Sequence, residues 1–91
     1  MILFAARPSA LRPERLGRAL RGLRLSRGLK QYQAAEKAGI TKAMLSAYET
    51  GKRLPSLRTL ANYLHALDAT LGDLRQAIIA YSARSKDEAS P

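Results

Sequence analysis

The segment of residues 31–49 constrains the fold more than any other part of this 91-residue chain. It has the pattern of two short helices joined at Gly39, a residue that can adopt the positive φ of a sharp turn. Ala35 is small enough to let the two helices approach closely, and burial of Ile40 and Leu45 would fix the angle between them. The segment therefore predicts a helix-turn-helix.

Apolar residues continue at helical spacing on both sides of this segment. Leucines at i, i+4 and i+7 mark one face of a first helix that begins at Pro13, where a missing N–H costs little. Ser56 is a good N-cap for a fourth helix, and Thr70 begins a fifth. The predicted helices cover residues 13–26, 31–38, 42–50 and 57–67, with the fifth ending near Tyr81. The sequence therefore predicts an all-α domain, a compact five-helix bundle.

The two ends of the chain differ from this helical body. Residues 1–12 contain prolines, an apolar start and no helical period, so we expect a flexible or interface-forming arm. Residues 82–91 are polar and end in Ala-Ser-Pro, so we expect a disordered tail. The helix-turn-helix domain proper is then residues 13–81.

The charge of the chain indicates its class of partner. Sixteen Lys and Arg residues against seven Asp and Glu give a net charge of +9, and such a field attracts polyanions, above all DNA or RNA. The absence of cysteine excludes disulfides, thiolate zinc sites and cysteine catalysis. No apolar run approaches the length of a membrane span, and the apolar opening is too short for a secretory signal. We therefore expect a cytoplasmic protein that does not bind membranes.

Arginine recurs at every third position of the predicted first helix. Because three residues turn a helix by about 300°, the series drifts around the helix instead of forming one stripe. Most of its members face solvent, whereas Arg24 lies about 80° from Leu16, at the edge of the apolar face. Arg24 is therefore the member of the series that we expect to need a partner.

The chain also resembles the Xre/Cro-like family of lambdoid phage repressors and bacterial regulators over about residues 16–78. The matching residues are Gln31, Ala35, Gly39, Thr41, Leu45, Ser46, Tyr48, Glu49, Gly51, Pro55, Ser56, Leu57 and Leu60. Two positions depart from the family pattern. Ala34 replaces a frequent leucine, so Leu29 or Tyr32 is expected to fill that part of the core. Lys30 replaces a frequent Ser or Thr, which weakens the cap of the second helix.

This resemblance implies a lambda-repressor-like fold and a sequence-specific, double-stranded DNA-binding transcriptional regulator, a repressor that reads the major groove with its third helix. The base-contacting residues expected from it are Lys42, Ala43, Ser46 and Ala47. Their chemistry agrees, because lysine reaches a guanine edge or a phosphate and alanine methyls can touch thymine methyls. The expected phosphate-contacting residues are Gln31, Thr41, Lys52 and Arg53.

Glu49 is out of place on a surface that meets DNA, because a carboxylate repels phosphates. In similar proteins this glutamate pairs with an arginine of the first helix, and the matching residue here is Arg24. Since the angular argument also singles out Arg24, we predict an Arg24–Glu49 ion pair that joins the first helix to the third.

Nothing in the sequence predicts an enzyme, a metal site or a cofactor. His65 is the single histidine, the carboxylates are scattered, and no glycine-rich phosphate loop occurs. We therefore expect a binding protein.

Several readings of that binding function stay open. One alternative is the antitoxin of a toxin–antitoxin pair, which binds its own operator and a toxin protein; others are a protein-interaction module on the same fold and a nonspecific nucleic-acid binder. A homodimer is expected, because two recognition helices one helical turn apart suit a palindromic operator. Its interface would come from apolar residues 1–6 or from the end of the fifth helix, with Ile79 and Tyr81.

Overall fold

The computed structural model describes the backbone of residues 12–89 and the side chains of residues 12–81. Its helices are α1 (Pro13–Ser26), α2 (Gln31–Ala38), α3 (Lys42–Glu49), α4 (Leu57–Ala66) and α5 (Leu71–Ala89). No strand occurs within residues 12–89, so the all-α, five-helix prediction is confirmed. Of the expected N-terminal arm, residues 1–11 lie outside the described part, and Arg12 is the N-cap of α1.

The fifth helix is longer than predicted. Its backbone continues to Ala89, so the expected end near Tyr81 is wrong, and residues 82–89 are helical where a disordered tail was expected. The composition gives the reason. Five of these eight residues are Ala, Arg, Lys or Glu, which lose little freedom in a helix, and no Gly or Pro interrupts them before Pro91.

The core lies where α1 packs on α3 and α5, and where α2 packs on α3 and α4. Leu20 of α1 and Leu45 of α3 are 1% and 0% exposed, and burying one such leucine is worth about 1.5–3 kcal/mol. The other buried apolar residues are Ala19, Leu23, Ala34, Ala35, Tyr48, Tyr63, Leu64, Leu67 and Leu74. This core holds α2 and α3 at a fixed angle on the rest of the domain.

The two departures from the family pattern have different outcomes. Leu29, one of the two residues expected to fill the core, is partly buried and packs against the core cluster that includes Ala34. Tyr32 does not fill the core; it is 56% exposed, because two residues turn a helix by about 200° and place it opposite Ala34. The side chain of Lys30 makes no cap, but its backbone N–H donates to Oε1 of Gln33 at 2.8 Å. The backbone N–H of the N-cap residue is therefore hydrogen-bonded by a side chain of the same helix.

The contact between α1 and α3 depends on a glycine. A Cβ atom on Gly17 would lie 2.5 Å from the carbonyl oxygens of both Tyr48 and Glu49, a distance that real Cβ atoms do not reach. Gly22, farther along α1, is covered in the same way by the ring of Tyr81 from α5. The glycines therefore let α1 lie directly against the C-terminal end of α3 and against α5.

Arg27 has a structural role that the sequence analysis did not assign. Its Nε donates to the carbonyl oxygen of Leu67 at 2.9 Å, and one Nη donates to that of Asp68 at 3.3 Å. The same guanidinium lies 3.6 Å from the carboxylate of Asp73. Arg27 therefore joins the end of α1 to the end of α4 and the start of α5. A cation is favoured at the C-cap position of Arg27, but no local pattern predicts which residues it contacts.

Candidate nucleic-acid interface

The turn between α2 and α3 is fixed by backbone geometry and by burial. Gly39 adopts φ 74°, and the backbone N–H of Ile40 donates to the carbonyl of Ala35 at 3.0 Å. Ala35 is 2% exposed and Ile40 packs against the core. The hydroxyl of Thr41 then accepts a hydrogen bond from the N–H of Met44 at 3.0 Å and caps α3. These contacts give α3 a single orientation relative to α2.

A buried hydrogen-bond network fixes the other side of the same unit. Arg24 donates to both carboxylate oxygens of Glu49, at 2.7 and 3.1 Å, so the predicted ion pair is present. The side chains of the two residues are only 7% and 2% exposed. Hydrogen bonding to Glu49 raises the pKa of Arg24, with burial acting in the opposite direction. Arg24 therefore stays charged, and the side chain of Glu49 is turned into the domain.

This network also includes the start of α2. Another Nη of Arg24 donates to the carbonyl of Leu29 at 2.8 Å. The amide Nε2 of Gln31 donates to Oε1 of Glu49 at 2.9 Å. One carboxylate thus connects α1, α2 and α3, and it holds the side chain of Gln31 in a defined direction at the first residue of α2.

The residues predicted to face bases lie on the outer surface of α3. Lys42 and Ala43 are exposed, while Ser46 and Ala47 are half-buried. Because Ala43 is exposed and Ala47 is only half-buried, α3 has an accessible face with small side chains. No ion pair involving Lys42 occurs among the described residues.

Sequence reasoning did not anticipate Met44, which belongs to the same surface. Its side chain is 38% exposed, although an apolar residue next to Leu45 would ordinarily be assigned to the core. The turn of about 100° between successive helix residues carries Met44 away from the buried side. The helix period contained this signal.

The residues predicted to contact phosphates form a rim around α3. Thr41 lies at its start; Lys52 and Arg53 follow its end and are exposed. The backbone N–H groups of Lys52 and Arg53 both donate to the carbonyl of Ala47, at 2.9 and 3.3 Å. Gln31 lies at the start of α2 and is half-buried. The loop that carries the two cations is therefore hydrogen-bonded to α3.

The exposed charges on α3 and on the loop after it are all of one sign. Between Thr41 and Arg53 the only carboxylate in the sequence is Glu49, and it is buried and paired with Arg24. The exposed charges of the same stretch, on Lys42, Lys52 and Arg53, are all positive. A polyanion can therefore approach α3 without meeting an exposed carboxylate from the helix or the loop after it.

Among the described residues, no group of three His, Asp or Glu side chains is arranged to hold a metal ion. His65 is exposed on α4. Across the same residues, no helix is long and apolar enough to cross a bilayer.

Known proteins match this arrangement. The helix-turn-helix family model matches residues 20–74, more than half of the chain. An uncharacterized HTH-type transcriptional regulator of Bacillus subtilis (strain 168), YqaE, is 40% identical over 52 residues; the match spans 57% of this chain and 45% of that protein. The chain thus covers less than half the length of this relative.

Solved structures agree with the fold and with the family. The clp gene regulator ClgR of Corynebacterium glutamicum superposes with a TM-score of 0.70 at 32% identity, over 75% of this chain and 88% of that one. The restriction-modification controller protein C.AhdI of Aeromonas hydrophila superposes with a TM-score of 0.66 at 31% identity, over 68% of this chain and 94% of the other. The chain belongs to the Xre-type helix-turn-helix family and carries the domain of a DNA-binding transcriptional regulator.

Proposed function

We propose that the chain is a sequence-specific regulator that binds double-stranded DNA in the cytoplasm, places α3 in the major groove and represses transcription by occupying its operator. It acts as a binding protein and not as an enzyme. The surface of α3 carries the proposal: small and cationic side chains face outward and Glu49 faces inward. A helix with such a face can approach base edges closely without repelling phosphates.

Two groups of residues divide the work of recognition. Sequence is read by Lys42, Ala43, Ser46 and Ala47. Position on the duplex is set by phosphate contacts from Gln31, Thr41, Lys52 and Arg53, which carry little sequence information. Because one Nε2 hydrogen of Gln31 is donated to Glu49, the other hydrogen of that amide is the one left for a phosphate oxygen.

Two substitutions separate these roles. Selection from a random-sequence duplex pool supplies a preferred duplex, and fluorescence anisotropy measures its affinity beside that of a random duplex over a range of salt concentrations. Lys42→Ala lowers the preference for the selected duplex, by roughly tenfold or more if a guanine contact is lost. Arg53→Ala weakens both duplexes similarly and lowers the salt slope by about one.

Arg75→Ala is the matched control for both variants. Arg75 is exposed on α5, and no ion pair involving it occurs among residues 12–81. Its loss removes the same charge at a site outside the proposed interface, so affinity and salt slope stay close to those of the unmodified protein. If Lys42→Ala and Arg53→Ala each affect selected and random duplexes to the same extent, the division of roles is wrong.

The proposed operator complex contains two copies of the chain, joined through an apolar groove between α4 and the start of α5. The groove has a volume of about 270 Å³. It is lined by Leu57, Leu60, Ala61, Leu64, His65, Ala69 and Leu71. Leu57 and Leu71 are 80% and 69% exposed, and none of the lining residues is Lys, Arg, Asp or Glu. Copies with a charge of +9 repel each other, so a face without fixed charge is where two of them can meet.

This groove is a different surface from the interfaces expected from the sequence. At the expected interface on α5, the ring of Tyr81 lies over Gly22 and Ile79 is 50% exposed. The other expected interface, residues 1–6, lies outside the described residues. A protruding leucine beside a groove is self-complementary under a two-fold axis, which is the commonest symmetry of homodimers.

Leu57→Lys tests the proposed dimer. Sedimentation equilibrium is expected to give a dimer for the unmodified chain and a monomer for the variant. Circular dichroism is expected to show that the variant still folds, because Leu57 is 80% exposed within a single chain. Leu25→Lys is the control, since Leu25 is 51% exposed on α1, away from the groove. A Leu57→Lys variant that stays dimeric would contradict the interface. Copurification of a toxin protein with the chain would favour the antitoxin alternative.

A further inference from the structure

The functional groups on α3 limit which features of a base pair this helix can read. Five residues of α3 between Lys42 and Ala47 are exposed or half-buried; Ala43, Met44 and Ala47 end in methyl groups, and Lys42 and Ser46 end in polar groups. In the major groove, apolar side chains have one base-specific partner, the C5-methyl group of a pyrimidine. Three of these five side chains therefore have a single base-specific target.

The other polar side chains in and next to α3 are placed less favourably for contact with a base. The carboxylate of Glu49 is buried in its ion pair, and Tyr48 is 8% exposed. The hydroxyls of Thr41 and Thr50 lie at the two caps of the helix, where Thr41 accepts from the N–H of Met44 and Thr50 donates to the carbonyl of Ser46 at 2.9 Å. Between these caps, Ser46 carries the one hydroxyl of α3 that is not buried.

The functional groups of the α3 side chains determine which bases this helix can recognise. Bidentate recognition of adenine needs a donor and an acceptor on one side chain, as in Asn or Gln, and α3 contains neither. Lys42 carries donors only, and these fit the O6 and N7 acceptors of guanine. Thymine offers its C5-methyl, and 5-methylcytosine carries a methyl group on the same ring atom.

We propose that α3 recognises C5-methyl groups, so that the operator half-site has thymine or 5-methylcytosine opposite Ala43 and Ala47 beside a guanine within reach of Lys42. This inference rests on the proposed DNA binding and specifies its substrate. It makes the protein a reader of pyrimidine methylation, because adding or removing one methyl changes the contact without changing base pairing. Ser46, between the two alanines in sequence, can bond either kind of base edge.

The test removes methyl groups from the DNA one at a time. Duplexes carrying the sequence selected from the random pool are synthesised with deoxyuridine in place of each single thymine, and affinity is measured by anisotropy. Loss of a contacted methyl lowers affinity about fourfold at the positions opposite α3 and leaves it unchanged elsewhere. At such a position a C·G pair binds weakly, and its 5-methylcytosine form recovers affinity by a similar factor.

Protein variants show whether α3 is the reader. In Ala43→Gly the deoxyuridine effect at one position disappears, because the methyl on the protein side of the contact has gone. Ala80→Gly is the control: Ala80 is exposed on α5, loses the same methyl and the same helix propensity, and leaves the deoxyuridine effect intact. Melting temperatures of both variants identify any loss of fold.

The outcomes separate this inference from the function it rests on. If the selected duplex outcompetes random DNA but deoxyuridine changes nothing, or if the selected half-site contains no thymine or 5-methylcytosine, methyl recognition is wrong and sequence-specific DNA binding stands. If no duplex from the pool is preferred over random DNA, the proposed function itself fails, and methyl recognition fails with it.

Discussion

Removing the charge of Glu49 tests how the helix-turn-helix is held to the rest of the domain. Glu49→Gln keeps the size of the side chain but leaves the guanidinium of Arg24, 7% exposed, without a counter-ion. An arginine cannot escape this by losing its proton. Breaking one partner of a buried pair costs about 3–5 kcal/mol, mostly because the other charge stays buried and uncompensated.

That cost is large for a domain of this size. At about 0.05–0.15 kcal/mol per residue, a 91-residue chain has a free energy of unfolding of roughly 5–14 kcal/mol. At about 4–8 °C per kcal/mol, a loss of 3 kcal/mol lowers the melting temperature by about 12–24 °C. The same carboxylate holds Gln31 at the start of α2, so affinity for DNA falls as well.

The assay is a double-mutant cycle with Arg24→Met, Glu49→Leu and the double variant, each unfolded by urea and followed by far-ultraviolet circular dichroism. Each single change leaves a buried partner unsatisfied, while the double change replaces the pair with apolar groups. The double variant is therefore less destabilised than the sum of the two, with a coupling free energy of about 1–3 kcal/mol. If a single variant does not fold, Arg24→Lys takes its place. It keeps the charge but loses the bidentate hydrogen bonding to Glu49, so a smaller loss of stability is expected.

Glu36→Gln is the control for the loss of a carboxylate. Glu36 is exposed on α2, has no ion pair among the described residues, and its replacement is expected to change stability by less than about 0.5 kcal/mol. If the changes at Arg24 and Glu49 add to within about 0.5 kcal/mol, the pair does not join α1 to α3 energetically, and the argument from burial is refuted.

Three further predictions concern the scaffold. Gly17→Ala places a Cβ 2.5 Å from the carbonyl oxygen of Glu49 and is expected to lower the free energy of unfolding, measured by urea titration, by about 1–3 kcal/mol. Gly72→Ala is the control: its nearest contact is at 3.4 Å, so it is expected to be neutral or stabilising by up to about 1 kcal/mol. Equal effects of the two variants would contradict the close packing of α1 on α3. Asp68 has φ 55° at the end of α4, so Asp68→Gly raises stability by roughly 0.5–1 kcal/mol in the same titrations, and a loss of stability would contradict this. The backbone N–H of Thr70, the residue just before α5, donates to the carboxylate of Asp73 and holds the pKa of Asp73 below its ordinary value. The pKa of Asp73 is lower in the folded than in the unfolded protein, so the ionised carboxylate stabilises the fold fully above the ordinary carboxyl pKa. This stabilisation is lost as the pH falls through the folded pKa. The melting temperature of Asp73→Asn should therefore fall less steeply with decreasing pH at the acid end than that of the unmodified protein.

Local sequence signals determined much of this protein. Gly39 between two apolar-patterned segments is enough to predict the turn, because only a residue tolerant of positive φ closes it without strain. The bounds of α1 and α2 follow from Pro13 and from the apolar period, and each agrees with the structure. Arg24 was identified by its angle on the helix, which depends only on the number of residues per turn.

Other features were decided only by the tertiary structure. The sequence left open whether Leu29 or Tyr32 fills the core, and it gave no assignment for Met44. Packing of the helices buries part of Leu29 and leaves Tyr32 and Met44 exposed. The partners of Arg27 lie about 40 residues away in the chain, beyond the reach of any local pattern. Periodicity specifies which residues share a face, because that depends on backbone geometry alone. Which face is covered, and by what, depends on how separate helices pack, and that is a property of the assembled domain.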